Sequence, residues 1–177
     1  MSGSVSPLSI LGVRWAEFPR WNLRPSPWRR IGRSLPPTRR ILDWTVDGIP
    51  LREIVLFPEG VTIDEVTFMS DDLHGERYVI GSLRALLGED VSGMDPWVSF
   101  IDDRVAVLFC PQCGDLACGA LSVDVRVDGE VVEWRDIGYQ IGLGDERVTS
   151  ATPPATLRFD RAQYETTVRT LLAVWTA

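Results

Sequence analysis

Three cysteines stand within nine residues: Cys110-Pro111-Gln112-Cys113 and, after Gly114-Asp115-Leu116-Ala117, Cys118. Thiolates bind zinc and carry out thiol exchange, and close-set cysteines in a reducing compartment point to one or the other. Cys-Pro-x-Cys-Gly is the turn of a zinc knuckle. It aims two sulfurs at one point, and Gly114 accepts the positive φ that the turn needs. A third thiolate five residues on suits the same ion. Zinc takes four ligands, so a fourth is required. The candidates are His74, the single histidine of the chain, the carboxylate of Asp115, or water. A retroviral-type knuckle has its fourth ligand five residues after the third; that position here is Val123, so the chain departs from that pattern.

The same residues permit three other readings. Cys-Pro-x-Cys after an apolar strand resembles a glutaredoxin site, whose first thiolate needs a helix N-terminus to lower its pKa. Gly114 and Gly119 bracket a short loop that runs directly into an alternating strand, leaving no room for such a helix. A disulfide switch between Cys113 and Cys118 stays open. The plainest reading is three reduced cysteines packing as small apolar residues in a tight loop.

The loop Cys-Pro-Gln-Cys-Gly-Asp-Leu-Ala-Cys-Gly and the later Trp134-Arg135-Asp136-Ile137-Gly138-Tyr139 together resemble a set of small bacterial, chiefly actinobacterial, proteins. These share Cys-x-x-Cys-Gly-Asp-x-x-Cys-Gly and a Trp-x-Asp-x-Gly-Tyr tail. The resemblance covers about 30 residues closely. It implies a bacterial source and supplies no catalytic residues. All 18 basic residues are arginine, which fits a GC-rich genome. Trp134, Asp136 and Tyr139 are candidates to line a site beside the cysteines.

Elsewhere the chemistry is thinner. Asp71-Asp72-Leu73-His74-Gly75-Glu76 gathers three acids and the histidine, a set that can hold a divalent cation but reads more simply as a solvated loop. There is no Gly-x-Ser-x-Gly elbow. Gly138, Gly142 and Gly144 form neither a dinucleotide fingerprint nor a phosphate loop. The residues therefore favour a binding or sensing role over catalysis.

Charge divides the chain. Residues 1–40 hold eight Arg and one acid, a net of +7; residues 41–177 hold ten Arg and 24 acids, a net of −14. An acidic body repels phosphate, which argues against nucleic acid, and suits a basic protein partner, as in an antitoxin or immunity-type module. No apolar run approaches the roughly 18 residues of a membrane span, and no signal peptide is evident, so a cytoplasmic location is expected. Residues 1–40 also hold six Pro and three Trp. They are expected to form an Arg- and Pro-rich arm, poorly ordered or docked, ahead of a single domain over 41–177.

The elements that must hold the cysteines are then read from periodicity. Residues 41–46 form a strand ending in an Asp47-Gly48 turn, with a short helix near 51–56 after Pro50. Residues 61–69 read as strand, and Leu83, Leu86 and Leu87 share a helical face closed by Gly88. Residues 97–101 and 104–109 form a hairpin across Asp102-Asp103. Leu121, Val123, Val125 and Val127 alternate with polar residues. A turn at Asp128-Gly129 then pairs Val125 with Val132 and Val123 with Trp134. The last helix is capped by Asp160 with Gln163 as its capping-box partner, and buries Tyr164, Val168, Leu171, Leu172 and Trp175. The sum is an α+β fold: a mostly antiparallel meander packed against a C-terminal amphipathic helix and one or two short helices.

Overall fold

A computed structural model describes residues 7–19, 38–57, 66–70, 76–94, 100, 103–110, 116–141, 147–148 and 156–176. It is an α+β protein built on two antiparallel sheets. In the first sheet, β2 (Thr38–Val46) is central, flanked on one side by β1 (Leu11–Pro19) and on the other by β3 (Ile49–Pro50) and β4 (Met69–Ser70). In the second, β5 (Val105–Phe109), β6 (Ala120–Asp128) and β7 (Val131–Gln140) form a meander. The far edge of β7 takes β8 (Arg147–Val148) and β9 (Thr156–Asp160). Helices α1 (Leu51–Ile54), α2 (Glu76–Leu86) and α3 (Arg161–Thr176) complete the described elements.

The Asp47-Gly48 turn forms as expected. Both residues have positive φ, 53° and 81°, as a type I′ turn requires, and Val46 pairs with Ile49 across it. Gly88, at φ 74°, ends α2. Of the expected 61–69 strand, residues 61–65 lie outside the described residues; Thr67 bridges Phe109, and Phe68 lies in the core. Of the 97–101 strand only Phe100 is described. Asp103 N donates to Phe100 O at 3.1 Å, closing a turn in which Asp103 is left-handed.

Residues 11–19 pair with β2 along nine positions, from Leu11↔Val46 to Pro19↔Thr38. Ahead of them, Ser9 bridges Phe159 in parallel, tying the first sheet to β9 of the second. Residues 1–6 and 20–37 lie outside the described residues.

The β6–β7 hairpin differs from its expected register. The turn is Gly129-Glu130, one residue later, with Gly129 at φ 57° in the first turn position, as in a II′ turn. Val125 therefore pairs with Trp134 and Val127 with Val132. The faces are those expected, but Arg126 now lies directly opposite Glu133 and Asp124 opposite Arg135. A turn at Asp128-Gly129 sets Asp124 opposite Glu133; the later turn removes that like-charge pair, a physical reason for the shift.

One continuous apolar core joins both sheets to α2 and α3. Its centre is aromatic. Trp134 meets Trp44, Phe159 and Tyr164 at centroid distances of 6.1, 5.2 and 6.2 Å. Two of the three polar side-chain atoms there are paired: Trp134 Nε1 donates to Tyr164 Oη at 3.1 Å, and Tyr164 Oη donates to Leu86 O at 3.0 Å; the third, Trp44 Nε1, is buried without a hydrogen-bond partner among the described residues. Burial pushes the Tyr164 phenol well above its ordinary range, so it stays a neutral donor. On α3, Tyr164, Val168 and Leu171 are buried, and Leu172 and Trp175 pack against the core, the stripe the sequence predicts.

Candidate functional site: the cysteine loop

The loop hangs between β5 and β6. The last ladder pair beneath it is Phe109↔Ala120, so residues 110–119 leave and re-enter the sheet at one point. Cys110 follows directly on β5 and is half-buried. On the return side, Leu116–Cys118 form one 3-10 turn, closed by Gly119 N donating to Leu116 O at 2.9 Å. Leu116 is fully buried and pins the turn to the core, while Cys118 is exposed. Cys113 and Asp115 fall in 111–115, outside the described residues, as does His74. Among the described residues no three metal-ligating side chains cluster.

The strand begins at Ala120, two residues after Cys118. Among the described residues the loop therefore holds a single three-residue helical turn, too short to supply the helix dipole of a glutaredoxin-type thiolate. His74 lies four residues beyond Ser70, which pairs with Ile41 on β2. Three residues before Ser70, Thr67 bridges Phe109, the last residue of β5 before the loop.

Two glycine-dependent features fix the return side. Gly119 has φ 100°, a conformation L-residues avoid. A Cβ placed there falls 2.5 Å from Tyr139 Oη and 2.7 Å from its ring carbons. Tyr139 thus lies flush against the backbone, donating through Oη to Cys118 O at 3.3 Å. Phe57 meets the Tyr139 ring edge-on at 6.2 Å and 80°.

Tyr139 reaches this place because β7 carries an extra residue. Strand β7 advances three residues, from Arg135 to Gly138, while β6 advances two, from Ser122 to Asp124. The bulge lets Trp134, Ile137 and Tyr139 all be buried although their spacing breaks period 2. Asp136 sits in it at φ 49°. Buried Arg104 clamps the bulge. Its Nε donates to Ser122 Oγ at 2.9 Å, Nη2 to Ser122 O at 2.9 Å, and Nη1 to Asp136 Oδ2 at 3.0 Å. Nη2 also donates to Asp136 O. The Ser122 hydroxyl in turn donates to Gln140 Oε1 at 3.0 Å. A guanidinium suits this work because its planar fork serves several acceptors at once.

The three expected lining residues therefore separate. Tyr139 touches the loop, Asp136 holds the bulge beneath Arg104, and Trp134 belongs to the aromatic core. Sequence reasoning passed over Arg104 and Ser122. Ser122 sits at a polar position of an alternating strand and reads as outward-facing, yet it is fully buried. A signal was present in the apolar phase, which switches from Val132 and Trp134 to Ile137 and Tyr139, as a bulge demands.

A charge pair buried on both sides, Asp43 Oδ2 to Arg52 Nη2 at 2.8 Å, joins β2 to α1. Burial pushes Asp43 up to about 6, while Arg52 and then Arg14 pull it back and Glu53 adds to the rise. It lies in the core of the first sheet and is a structural pair. No helix among the described residues is long and apolar enough to cross a membrane.

Comparison with protein-family models, with curated proteins and with solved structures finds no match for this chain.

Proposed function

We propose that the 110–119 loop is a structural zinc site, or a sensor of thiol state built from the same sulfurs, in a small cytoplasmic bacterial protein. Cys110, Cys113 and Cys118 are its thiolates, and His74 or Asp115 completes it, Asp115 being the nearer in sequence. The observation that supports this reading is the closure of the loop: Phe109↔Ala120 brings its two cysteine-bearing ends to one corner of the sheet. A short loop whose ends are already held together presents several thiolates to one ion at little entropic cost. The likeness to the actinobacterial set is part of the same proposal.

Elemental analysis of protein purified without chelator, with a thiol count on the same sample, tests it. One zinc per chain with the thiols shielded supports the site. No metal, with all three thiols reactive and no change in melting temperature on oxidation, removes both forms of it. In the zinc form, Cys113→Ser lowers metal content and melting temperature together.

A second reading rests on charge. The net −14 of residues 41–177 favours a basic protein partner through steering and complementarity. Pull-down from the native cytosol at low and high salt tests it; the absence of a saturable, salt-sensitive partner counts against it.

A further inference from the structure

We infer that Tyr139 is the positioning residue of the cysteine loop, holding the backbone of Cys118 and thereby the direction in which its sulfur is presented. The inference rests on the reading of the loop as a thiol site and names the group that sets its geometry.

Three independent observations converge on Tyr139. Its hydroxyl donates to the carbonyl of Cys118 itself at 3.3 Å. The next residue, Gly119, leaves no room for a side chain between the backbone and the phenol, since a Cβ there stands 2.5 Å from Tyr139 Oη. The ring also packs against Phe57, edge-on at 6.2 Å, a contact outside the loop. Its direction is inherited from the β7 bulge. In a regular strand Tyr139 and Trp134, five positions apart, fall on opposite faces; the bulge at Asp136 takes up one of the five. With it, and with Arg104 fixing Asp136 and Ser122, both are buried. The exposed Cys118 is thus seated on a carbonyl that is held by a buried strand.

The consequence is chemical. A metal ligand is oriented by the groups that bond its backbone and side chain, and loosening such a partner weakens metal affinity about 10–100-fold. For a thiol in exchange chemistry, the same loosening changes the access of an attacking reagent to the sulfur.

The test is Tyr139→Phe, which keeps the ring against Gly119 and Phe57 and deletes only the hydroxyl. Full-length wild-type and variant chains, as purified, are treated with iodoacetamide, and the modification rates of Cys118 and Cys110 are read separately by peptide mass spectrometry. The expected result is a rise of roughly fivefold in the Cys118-to-Cys110 rate ratio, the order of one lost hydrogen bond. General loosening of the fold raises both rates and leaves the ratio unchanged, and an unchanged ratio overturns the inference. Where the wild type carries zinc, competition with a chromophoric chelator is expected to show affinity about tenfold weaker in the variant; equal affinities also overturn it. A wild type without metal or thiol response removes the proposed function alone, because the rate ratio still decides whether Tyr139 positions Cys118.

Discussion

Gln163 on α3 bonds both backbone groups of Leu11 on β1, accepting from Leu11 N at 3.1 Å through Oε1 and donating to Leu11 O at 2.7 Å through Nε2. The side-chain amide does for Leu11 what a neighbouring strand does in a ladder. It also departs from the expected capping box. Asp160 does cap α3, with Gln163 N donating to its Oδ1 at 2.9 Å, but the Gln163 side chain turns away to the strand. A glutamine has one donor group and one acceptor at its tip, which is why it can serve both ends of a peptide unit.

Gln163→Leu leaves the Leu11 amide without its bond and is expected to cost about 2–3 kcal/mol, two part-buried hydrogen bonds with unsatisfied remainders. A urea midpoint series checks it. Thr166→Ala, on the exposed side of the same helix, is the control and is expected to shift stability by less than about 0.5 kcal/mol. Equal losses in the two variants refute the assigned role.

The Asp43–Arg52 pair gives stability a pH dependence whose sign is fixed. Asp43 titrates near 6 in the fold against 3.8 ordinarily, so the folded chain holds this proton more tightly than the unfolded one. Its contribution is fully present below pH 3.8 and is lost as pH rises through about 6. Arg52→Met removes the attraction that pulls Asp43 down, raises its pKa further and exposes the full cost of a buried carboxylate. The expected loss is about 3–5 kcal/mol at pH 8, shrinking toward pH 4 as Asp43 takes up its proton. Urea midpoints at pH 4, 6 and 8 measure it. Glu133, held low mainly by its hydrogen bond to Arg135, and Glu165, held low by Arg161, give the opposite slope in both proteins and cancel in the difference. A loss that does not vary with pH contradicts the linkage.

Gly119→Ala combines a left-handed backbone with a collision against Tyr139, and is expected to destabilise by about 3 kcal/mol. Gly129→Ala, left-handed at the milder φ of 57° and with open space at the Cβ position, is expected to cost only about 1 kcal/mol. The excess loss at Gly119 over Gly129 reports the collision with Tyr139 together with the less accessible φ of 100°. Similar shifts mean that the close approach carries no weight.

Arg104→Lys keeps the charge and loses the fork. The lysine has one nitrogen for acceptors that the guanidinium serves with three, so Ser122 or Asp136 is left short, at a cost of about 2–4 kcal/mol. Amide hydrogen exchange is expected to rise first around Ser122 and Gly138, beside the bulge. Exchange that rises uniformly across the protein argues against a local clamp.

Much of the architecture can be read from the residues because it rests on local chemistry. Asp47-Gly48 declares its turn, Asp160 its cap, and Tyr164, Val168 and Leu171 their helical stripe. What could not be read depends on partners distant in the chain. The stretch 11–17 shows little period, since among its described side chains Leu11 alone is fully buried while Val13 and Trp15 stay partly exposed; its strand character comes from β2. The β6–β7 turn was legible to within one residue, and cross-strand charge decided the rest. For the candidate site, the cysteine spacing is plain in the sequence, and Tyr139 was legible as a neighbour. The clamp of Arg104 on Ser122 was not, because a buried polar contact between three strands leaves no periodic trace in any one of them.

The union of Leu11 with α3 also orders events in time. During synthesis β1 and β2 emerge early and can pair, but Ser9 must wait for Phe159, and Leu11 for Gln163 and Thr167. Loops of about 150 residues have to close before the first strand gains its last partners, and such late closure slows folding. Until residues 161–176 have cleared the ribosome, the outer edge of β1 stays available to foreign strands. A nascent chain stalled before α3 is therefore the form of this protein most in need of a chaperone.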